Sequence, residues 1–151
     1  MRKEKTVPMK LRIDDLHTFD PLTENQETVY NSWKDGNHLV LTGTAGTGKT
    51  FSALYLALED VLDKGNNLEK VVITRSIVPT REIGFLPGSM EEKMEPYSGP
   101  YRAICTELFQ DSKAYDKLVD QNAIEFLSTS YIRGTTFNDA VIVVDEMQNL
   151  T

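Results

Sequence analysis

The stretch that decides the fold spans residues 39–50 and reads Leu39-Val40-Leu41-Thr42-Gly43-Thr44-Ala45-Gly46-Thr47-Gly48-Lys49-Thr50. Its pattern predicts a short apolar strand, a glycine-rich turn and the start of a helix. From Gly43 to Thr50 the residues fit G-x-x-x-x-G-K-[ST], the phosphate-binding loop, at every fixed position. A glycine-rich turn can match by chance, but a strand before it and a helix after it argue against chance. The sequence therefore predicts a nucleoside-triphosphate site.

Each residue type in this loop has a physical role. Glycines allow backbone conformations that a side chain forbids and bring N–H groups close to an anion. The following helix adds its unpaired amides and the positive end of its dipole. Lys49 is placed to reach the β- and γ-phosphates, and the Thr50 hydroxyl is placed to ligate Mg²⁺. The predicted nucleotide-binding residues of the loop are Gly43, Thr44, Ala45, Gly46, Thr47, Gly48, Lys49 and Thr50.

Composition narrows the function classes. The chain has 151 residues and a net charge of −7, from 16 basic and 23 acidic side chains. This balance gives no support to tight non-specific nucleic-acid binding, although it leaves room for a local basic groove. Cys105 is the single cysteine, so an intramolecular disulfide and a cysteine-based zinc site are excluded. No apolar run approaches the roughly 20 residues that span a bilayer, and no apolar segment follows the charged N-terminus, so we expect no membrane association and a cytoplasmic location.

The segment before the loop predicts an arm and a helix. Residues 1–20 show no clear period and are interpreted as an N-terminal arm, and residues 21–151 as the nucleotide-binding domain. Thr23 and Gln26 fit the N-cap and N3 positions of a capping box, and Gly36 fits the helix stop. Gln26 has a second interpretation, because a side-chain amide can donate to N7 of adenine and accept from its N6 amine. Both interpretations of Gln26 stay open.

The pattern after the loop is that of an α/β protein. An apolar helix from Phe51 to Leu62, which we expect to pack on a sheet face, precedes a buried strand over residues 71–74, and strand–helix–strand predicts a parallel βαβ unit. A helix is also predicted over residues 96–109, with Cys105 as a small buried hydrophobe and with Tyr97, Tyr101, Ile104 and Leu108 on its apolar side. The tyrosines could stack bases, but helical spacing favours core packing. The polar residues 111–120 predict a surface helix. A further strand is predicted over residues 123–127.

Three arginines lie in predicted loops. Arg75 follows a parallel strand, where such sheets bind ligands, and Arg81 and Arg133 lie in loops further along the chain. Their guanidinium groups could contact phosphates of a nucleotide or of a nucleic acid. The alternative is that they are ordinary solvated loop arginines.

A second motif stands near the C-terminal end of the sequence. Val141-Ile142-Val143-Val144 predicts a fully buried strand, and Asp145-Glu146 follows it in a Walker B pattern. Asp145 would hold Mg²⁺ through its water shell, completing the site begun by Thr50. Glu146 would orient and deprotonate the attacking water.

With these motifs in place, the chain resembles the PhoH-like ATPases, relatives of superfamily 1 helicases. The resemblance covers about residues 21–151 and rests on several short segments. These are Thr23-Glu24-Asn25-Gln26, the phosphate-binding loop, Ile73-Thr74-Arg75, Gly84-Phe85-Leu86-Pro87-Gly88, Pro96-Tyr97, Tyr131-Ile132-Arg133-Gly134-Thr135-Thr136 and Asp145-Glu146-Met147-Gln148-Asn149. It implies a RecA-like P-loop core, hydrolysis of ATP with Mg²⁺, a link to RNA or DNA metabolism, and a homo-oligomeric, hexameric ring as a candidate assembly.

The sequence departs from the family pattern in two residues and at its end. Ser76 and Met147 replace a common Pro and Ala, as in the phage-borne branch of the family, and neither change removes a catalytic group. The family's later strands, with a polar sensor and further arginines, do not follow Thr151. We therefore expect a partial sequence whose C-terminal strands are missing. The alternative is a naturally short protein that borrows those parts from a neighbouring subunit.

The resulting functional prediction is an ATPase in which Lys49, Glu146 and Gln148 are catalytic and Gln148 senses the γ-phosphate. Single-stranded RNA or DNA is the expected partner. The alternative is a nucleotide-dependent binding module, or switch, with negligible turnover. A small-molecule kinase fits less well, because such an enzyme needs an acceptor pocket and a lid.

Overall fold

A computed structural model describes residues 10–41, 48–75, 97–128 and 136–145. Within these ranges, a single 3₁₀ turn at Ile13–Asp15 precedes four α-helices and three strands. The helices are α1 (Glu24–Lys34), α2 (Lys49–Leu62), α3 (Gly99–Phe109) and α4 (Ala114–Asp120). The strands are β1 (Lys70–Arg75), β2 (Ile124–Ser128) and β3 (Ala140–Asp145).

The three strands form a parallel sheet in the order β2-β1-β3. β1 therefore lies between two strands that come later in the chain. In this register Arg75 stands beside Ser128 of β2 on one side and beside Asp145 of β3 on the other. Because parallel strands end at the same edge, the residues that close β1 and β3 are neighbours. The predicted α/β class with a parallel sheet and flanking helices is confirmed.

The core lies where the helices meet one face of the sheet. Side chains alternate along a strand, so Val71 and Ile73 of β1 share a face, and both are fully buried in the main hydrophobic cluster. α2 contacts β1 and β3, and its Leu54 and Leu58 are 1% and 0% exposed. The prediction that this apolar helix packs on the sheet is correct.

The local signals around α1 also behave as predicted. Thr23 is the N-cap, and its side-chain oxygen accepts a hydrogen bond from the backbone N–H of Gln26 at 3.1 Å. The chain leaves the helix through Gly36, which has a φ of +88° that favours glycine. The sequence thus encodes both ends of α1 locally.

The segment before α1 docks on the helices. The ring of Phe19 makes edge contacts with Phe51 and Tyr55 of α2, with ring centroids 5.2 and 5.8 Å apart respectively. The backbone of Leu11 exchanges two hydrogen bonds with the Gln121 side chain, at 2.8 and 2.9 Å. Residues 10–20 of the predicted arm are therefore held by aromatic contacts and by hydrogen bonds to the region after α4.

One strand prediction is wrong. Residues 39–41, expected to form the strand before the phosphate-binding loop, have no strand assignment, and Val40 is 68% exposed. An apolar run indicates a tendency to be buried, whereas a strand also needs a neighbouring strand to complete its hydrogen-bond ladder. In the described sheet β3 is an outer strand, and the strand it pairs with is β1, not residues 39–41.

Two burial predictions also need correction. The sequence predicts a fully buried β3, but Ile142 and Val144 are 46% and 39% exposed. Only one face of this outer strand, the face with Val141 and Val143, packs against the core. The polar segment before β2 was expected to be a surface helix, but α4 buries Tyr115 and Leu118 against the core. The polar composition of this segment did not predict the burial, because a few apolar residues at helical spacing are enough to bury one face of a helix.

Candidate nucleotide-binding site

The candidate site lies where the N-terminus of α2 meets the carboxyl ends of β1 and β3. Gly48 caps α2 with a φ of +80°, and Lys49 and Thr50 form the first turn. The positive φ is the conformation for which the motif requires glycine. The start of α2, with its positive dipole end, therefore lies at the same edge of the sheet that Arg75 and Asp145 close.

Asp145 is held by two hydroxyl groups. The Oγ1 of Thr50 lies 3.4 Å from its Oδ1, which is long for a hydroxyl–carboxylate hydrogen bond. The hydroxyl of Tyr101 lies 2.7 Å from its Oδ2, at the ordinary length of a strong bond. The two predicted motifs thus converge on one carboxylate, each of whose oxygens has its own partner.

Tyr101 projects from α3 into the interior and is completely buried. Its ring packs edge-on against Phe126 of β2, with centroids 5.2 Å apart. Burial, and after it the hydrogen bond to Asp145, raises the pKa of the Tyr101 phenol above its usual range. The phenol therefore remains protonated and donates a hydrogen bond to the carboxylate.

Arg75 lies at the edge of this cluster. It is the register neighbour of Asp145, and its guanidinium carbon is 5.8 Å from the centre of the Tyr97 ring. The Arg75 charge acts to lower the pKa of Tyr101, although burial and Asp145 outweigh it. Arg75 therefore lies at the same edge of the sheet as the Asp145 carboxylate.

The Gln26 side chain lies at the start of α1 and close to Gly48. Its side-chain Oε1 accepts from the backbone N–H of Leu22 at 2.6 Å, one residue before the N-cap itself. Its Nε2 lies 3.8 Å from the point that a Cβ on Gly48 would occupy. Gln26 therefore closes the start of α1 and also presents its amide nitrogen to the end of the phosphate-binding loop.

Several predicted site residues lie outside the described residues. These are Gly43, Thr44, Ala45, Gly46, Thr47, Arg81, Arg133, Glu146 and Gln148. In the described part of the chain, the Thr50 hydroxyl lies near the Asp145 carboxylate, and the Gln26 side-chain nitrogen lies near Gly48. Lys49 belongs to the same helical turn as Thr50.

The donor atoms at this site fit a magnesium ion. A threonine hydroxyl and a carboxylate are the hard oxygen ligands that Mg²⁺ prefers. The Oγ1 of Thr50 and the Oδ1 of Asp145 are 3.4 Å apart, so an ion held by the hydroxyl would have the carboxylate close to its bound waters. Among the described residues there is no group of three His, Cys, Asp or Glu side chains that would form an all-protein metal cage.

Tyr101 makes a contact with the candidate site that the sequence did not predict. Helical spacing predicted that it packs in the core rather than stacking a base, and its burial confirms this. Its hydroxyl also needs a partner once buried, and that requirement was a signal for a polar contact. The partner itself, 44 residues away on β3, could not be identified from spacing.

Comparison with known proteins agrees with this geometry. The family described as PhoH-like protein matches residues 18–151. A PhoH-like protein of Mycobacterium leprae is 39% identical over 89% of this chain and 38% of its own length. Protein PhoH2 of Bacillus subtilis is 36% identical over 99% of the chain, and Protein PhoH of Escherichia coli is 35% identical over 73%.

The chain spans 35% of the length of the Bacillus subtilis protein and 31% of the Escherichia coli protein. In the part of the chain with described structure, no helix is both long and apolar enough to cross a membrane. Residues 18–151 carry the family match, and the same residues contain both phosphate-site motifs. The chain belongs to the PhoH-like protein family, a family of P-loop NTPases.

Proposed function

We propose that this chain binds ATP together with Mg²⁺ and hydrolyses it. The observation that carries the proposal is the approach of the Thr50 hydroxyl to the Asp145 carboxylate, at 3.4 Å. One residue comes from the phosphate-binding motif and the other from the Walker B motif. Their meeting at the N-terminus of α2 supports a phosphate–magnesium site better than either motif does alone.

The proposed chemistry assigns a role to each side chain. Lys49 and the amides at the start of α2 would stabilise negative charge on the β- and γ-phosphates. Thr50 and Asp145 would hold Mg²⁺, which, when bound, neutralises charge on the phosphate oxygens. Glu146 would orient the attacking water and accept its proton, and Gln148 would sense the γ-phosphate.

We further propose that turnover is coupled to RNA or DNA in the cytoplasm. Arg75, the register neighbour of Asp145, would link the nucleotide site to the segments predicted as loops that carry Arg81 and Arg133. Guanidinium groups suit phosphate contacts because they donate in a planar fork. A hexameric ring is the proposed assembly, in which neighbouring subunits could complete one another's sites.

The test separates binding from turnover. Binding of ATP is measured by titration calorimetry with the unaltered chain and with Lys49→Ala, and Lys64→Ala serves as a control because Lys64 is exposed and lies beyond α2. We expect Lys49→Ala to abolish binding and Lys64→Ala to leave it unchanged. Undiminished binding by Lys49→Ala would overturn the assignment of the loop.

Hydrolysis is then followed as phosphate release with Mg²⁺, with and without single-stranded RNA or DNA. We expect Glu146→Gln to bind ATP but to release phosphate at least about 100-fold more slowly, within the range for loss of a general base. Stimulation by a single strand would support the coupling. ATP binding without any turnover would instead identify the chain as a nucleotide-dependent switch.

A further inference from the structure

We propose that Tyr101 is a positioning residue that orients the Asp145 carboxylate for the metal. This inference rests on the proposed function, because it concerns the same magnesium–nucleotide site. Tyr101 belongs to neither of the two phosphate-site motifs; it comes from the first half of α3, on the path between β1 and β2. It would act through Asp145 and would not touch the nucleotide.

The two carboxylate oxygens of Asp145 have different hydrogen-bond partners. The Tyr101 hydroxyl holds Oδ2 at 2.7 Å, and Oδ1 faces the Thr50 hydroxyl at 3.4 Å. A carboxylate is planar, so fixing one oxygen also restricts where the other can lie. The short bond to Tyr101 therefore turns Oδ1 toward α2, where the metal and the phosphates would bind.

Asp145 needs such a restraint because of its place in the sheet. It is the last residue of β3, which is the outer strand of the described sheet on that side. The terminal torsion of an aspartate is broad, so the carboxylate plane is poorly fixed by its own rotamer. A hydrogen bond from a rigid group supplies the missing restraint.

Tyr101 is rigid enough to supply it. The side chain is 0% exposed, and its ring is held edge-on against Phe126 at 5.2 Å. Both residues face the hydrophobic cluster between α3 and the sheet. A packed aromatic ring, not a mobile surface side chain, therefore holds the hydroxyl group against Asp145.

Outer partners of metal ligands have measurable effects on metal affinity. Losing such a partner typically lowers metal affinity or activity about 10–100-fold, even though the ligand itself is retained. In this site Asp145 would hold the ion through its water shell, and Tyr101 is the outer partner that holds Asp145. Removal of the phenol oxygen should therefore weaken magnesium-dependent binding and leave magnesium-independent binding unchanged.

The experiment compares Tyr101→Phe with the unaltered chain. Phenylalanine keeps the ring that packs on Phe126 and removes only the hydroxyl. The affinity for ATP is measured by calorimetry with Mg²⁺ and again with EDTA, and direct binding of Mn²⁺ is followed by electron paramagnetic resonance. We expect an affinity loss of about tenfold with the metal, no change in EDTA, and weaker Mn²⁺ binding.

Tyr115→Phe is the matched control. Tyr115 is also a buried tyrosine, 6% exposed, but it lies on α4, where Arg102 stacks over its ring at 4.7 Å. Loss of its hydroxyl should leave the magnesium dependence of ATP binding at the value of the unaltered chain. An equal loss in both variants would show that Tyr101 acts only through the core and would overturn the positioning role.

A double-variant cycle tests the pathway through Asp145. In an Asp145→Asn background, the further change Tyr101→Phe should have little additional effect on magnesium-dependent affinity, because the carboxylate to be oriented is gone. Fully additive effects would contradict the proposal. If Tyr101→Phe does not fold by circular dichroism, Phe126→Leu, which keeps the Tyr101 hydroxyl but loosens the ring that holds it, carries the same measurements and should also weaken magnesium-dependent affinity.

The outcomes also separate this inference from the proposed function. If the unaltered chain binds no ATP, the proposed function fails and the inference fails with it. If it binds ATP with a magnesium dependence that Tyr101→Phe does not change, only the role of Tyr101 is overturned.

Discussion

The Thr50 hydroxyl lies 3.4 Å from the Asp145 carboxylate, although 95 residues separate them in sequence. The parallel sheet explains this approach. β3 pairs with β1, and α2 packs across both strands, so the start of the helix and the end of β3 come to the same edge. Two motifs that are far apart in the chain thereby become one candidate site.

The first prediction concerns the hydroxyl at position 50. Thr50→Ala removes an oxygen ligand and should lower ATP affinity in Mg²⁺ by at least about tenfold, while affinity in EDTA stays the same. Thr50→Ser keeps the hydroxyl and should behave like the unaltered chain. Calorimetric titrations in both buffers measure the effect, and a Thr50→Ala chain with unchanged magnesium dependence would contradict the metal assignment.

The second prediction separates the two roles of Gln26. If its amide reads the base, Gln26→Ala should lower ATP affinity by about tenfold, the value of one lost hydrogen bond, and should reduce the preference for ATP over GTP. Thr23→Ala removes the 3.1 Å cap bond but keeps the amide near Gly48. That control should lower the stability of the fold by about 1 kcal/mol without changing base preference. An unchanged ATP-to-GTP ratio in Gln26→Ala would leave capping as its role.

The third prediction concerns packing between α2 and the sheet. Leu58 is 0% exposed, so Leu58→Ala should lower the free energy of unfolding by about 2–5 kcal/mol through lost burial and a cavity. Leu22 is 88% exposed, and Leu22→Ala should change it by less than about 0.5 kcal/mol. Urea denaturation followed by circular dichroism gives both values, and similar values for the two variants would contradict the placement of α2.

The fourth prediction concerns the reactivity of Cys105. The thiol is fully buried, and burial raises its pKa from 9.0 to about 12. The nucleophilic thiolate is therefore scarce in the folded chain at pH 8. We expect no reaction with a disulfide reagent under native conditions and rapid reaction in guanidinium chloride, as read by absorbance. Rapid labelling of the native protein would contradict the burial of α3.

The fifth prediction is a pH dependence that arises from Glu59 on α2. Burial, followed by the charge of Asp60, raises the pKa of the Glu59 carboxyl above its ordinary value of 4.5. A raised pKa means that the folded chain favours the protonated form. The stabilising contribution of this group is therefore complete below pH 4.5 and is lost as the pH rises through the folded-state pKa.

Glu59→Gln tests this sign, because glutamine stays uncharged at every pH. The melting temperature of the variant minus that of the unaltered chain should be more positive at pH 7.5 than at pH 4. Thermal scans at both pH values measure the difference. A difference that does not change with pH, or that changes in the opposite direction, would contradict the burial of Glu59.

Local signals determined the elements that local physics can determine. Thr23 caps α1 as predicted, Gly36 ends it, and Gly48 adopts the positive φ for which the loop motif requires glycine. The helical period placed Tyr101 and Cys105 in the core, and both are fully buried. These outcomes follow from a side chain's hydrogen-bonding groups and from backbone sterics, which are properties of a few adjacent residues.

Other features depend on partners that are distant in sequence. The apolar run at residues 39–41 predicted a strand, but strand formation requires a neighbour, and those residues have none assigned. Likewise, the apolar character of β3 did not reveal that Ile142 and Val144 would stay partly exposed at the outer strand of the described sheet.

The sequence by itself determined the family, the α/β class and the two phosphate-site motifs, because each is encoded in residue types at short spacing. Only the tertiary structure decided that Tyr101 contacts one oxygen of Asp145 while Thr50 contacts the other, and that the side-chain amide of Gln26 lies near Gly48. Those contacts depend on the strand order and on the way α2 and α3 pack against the sheet. Such long-range geometry is set by the whole core and is not encoded in any local pattern.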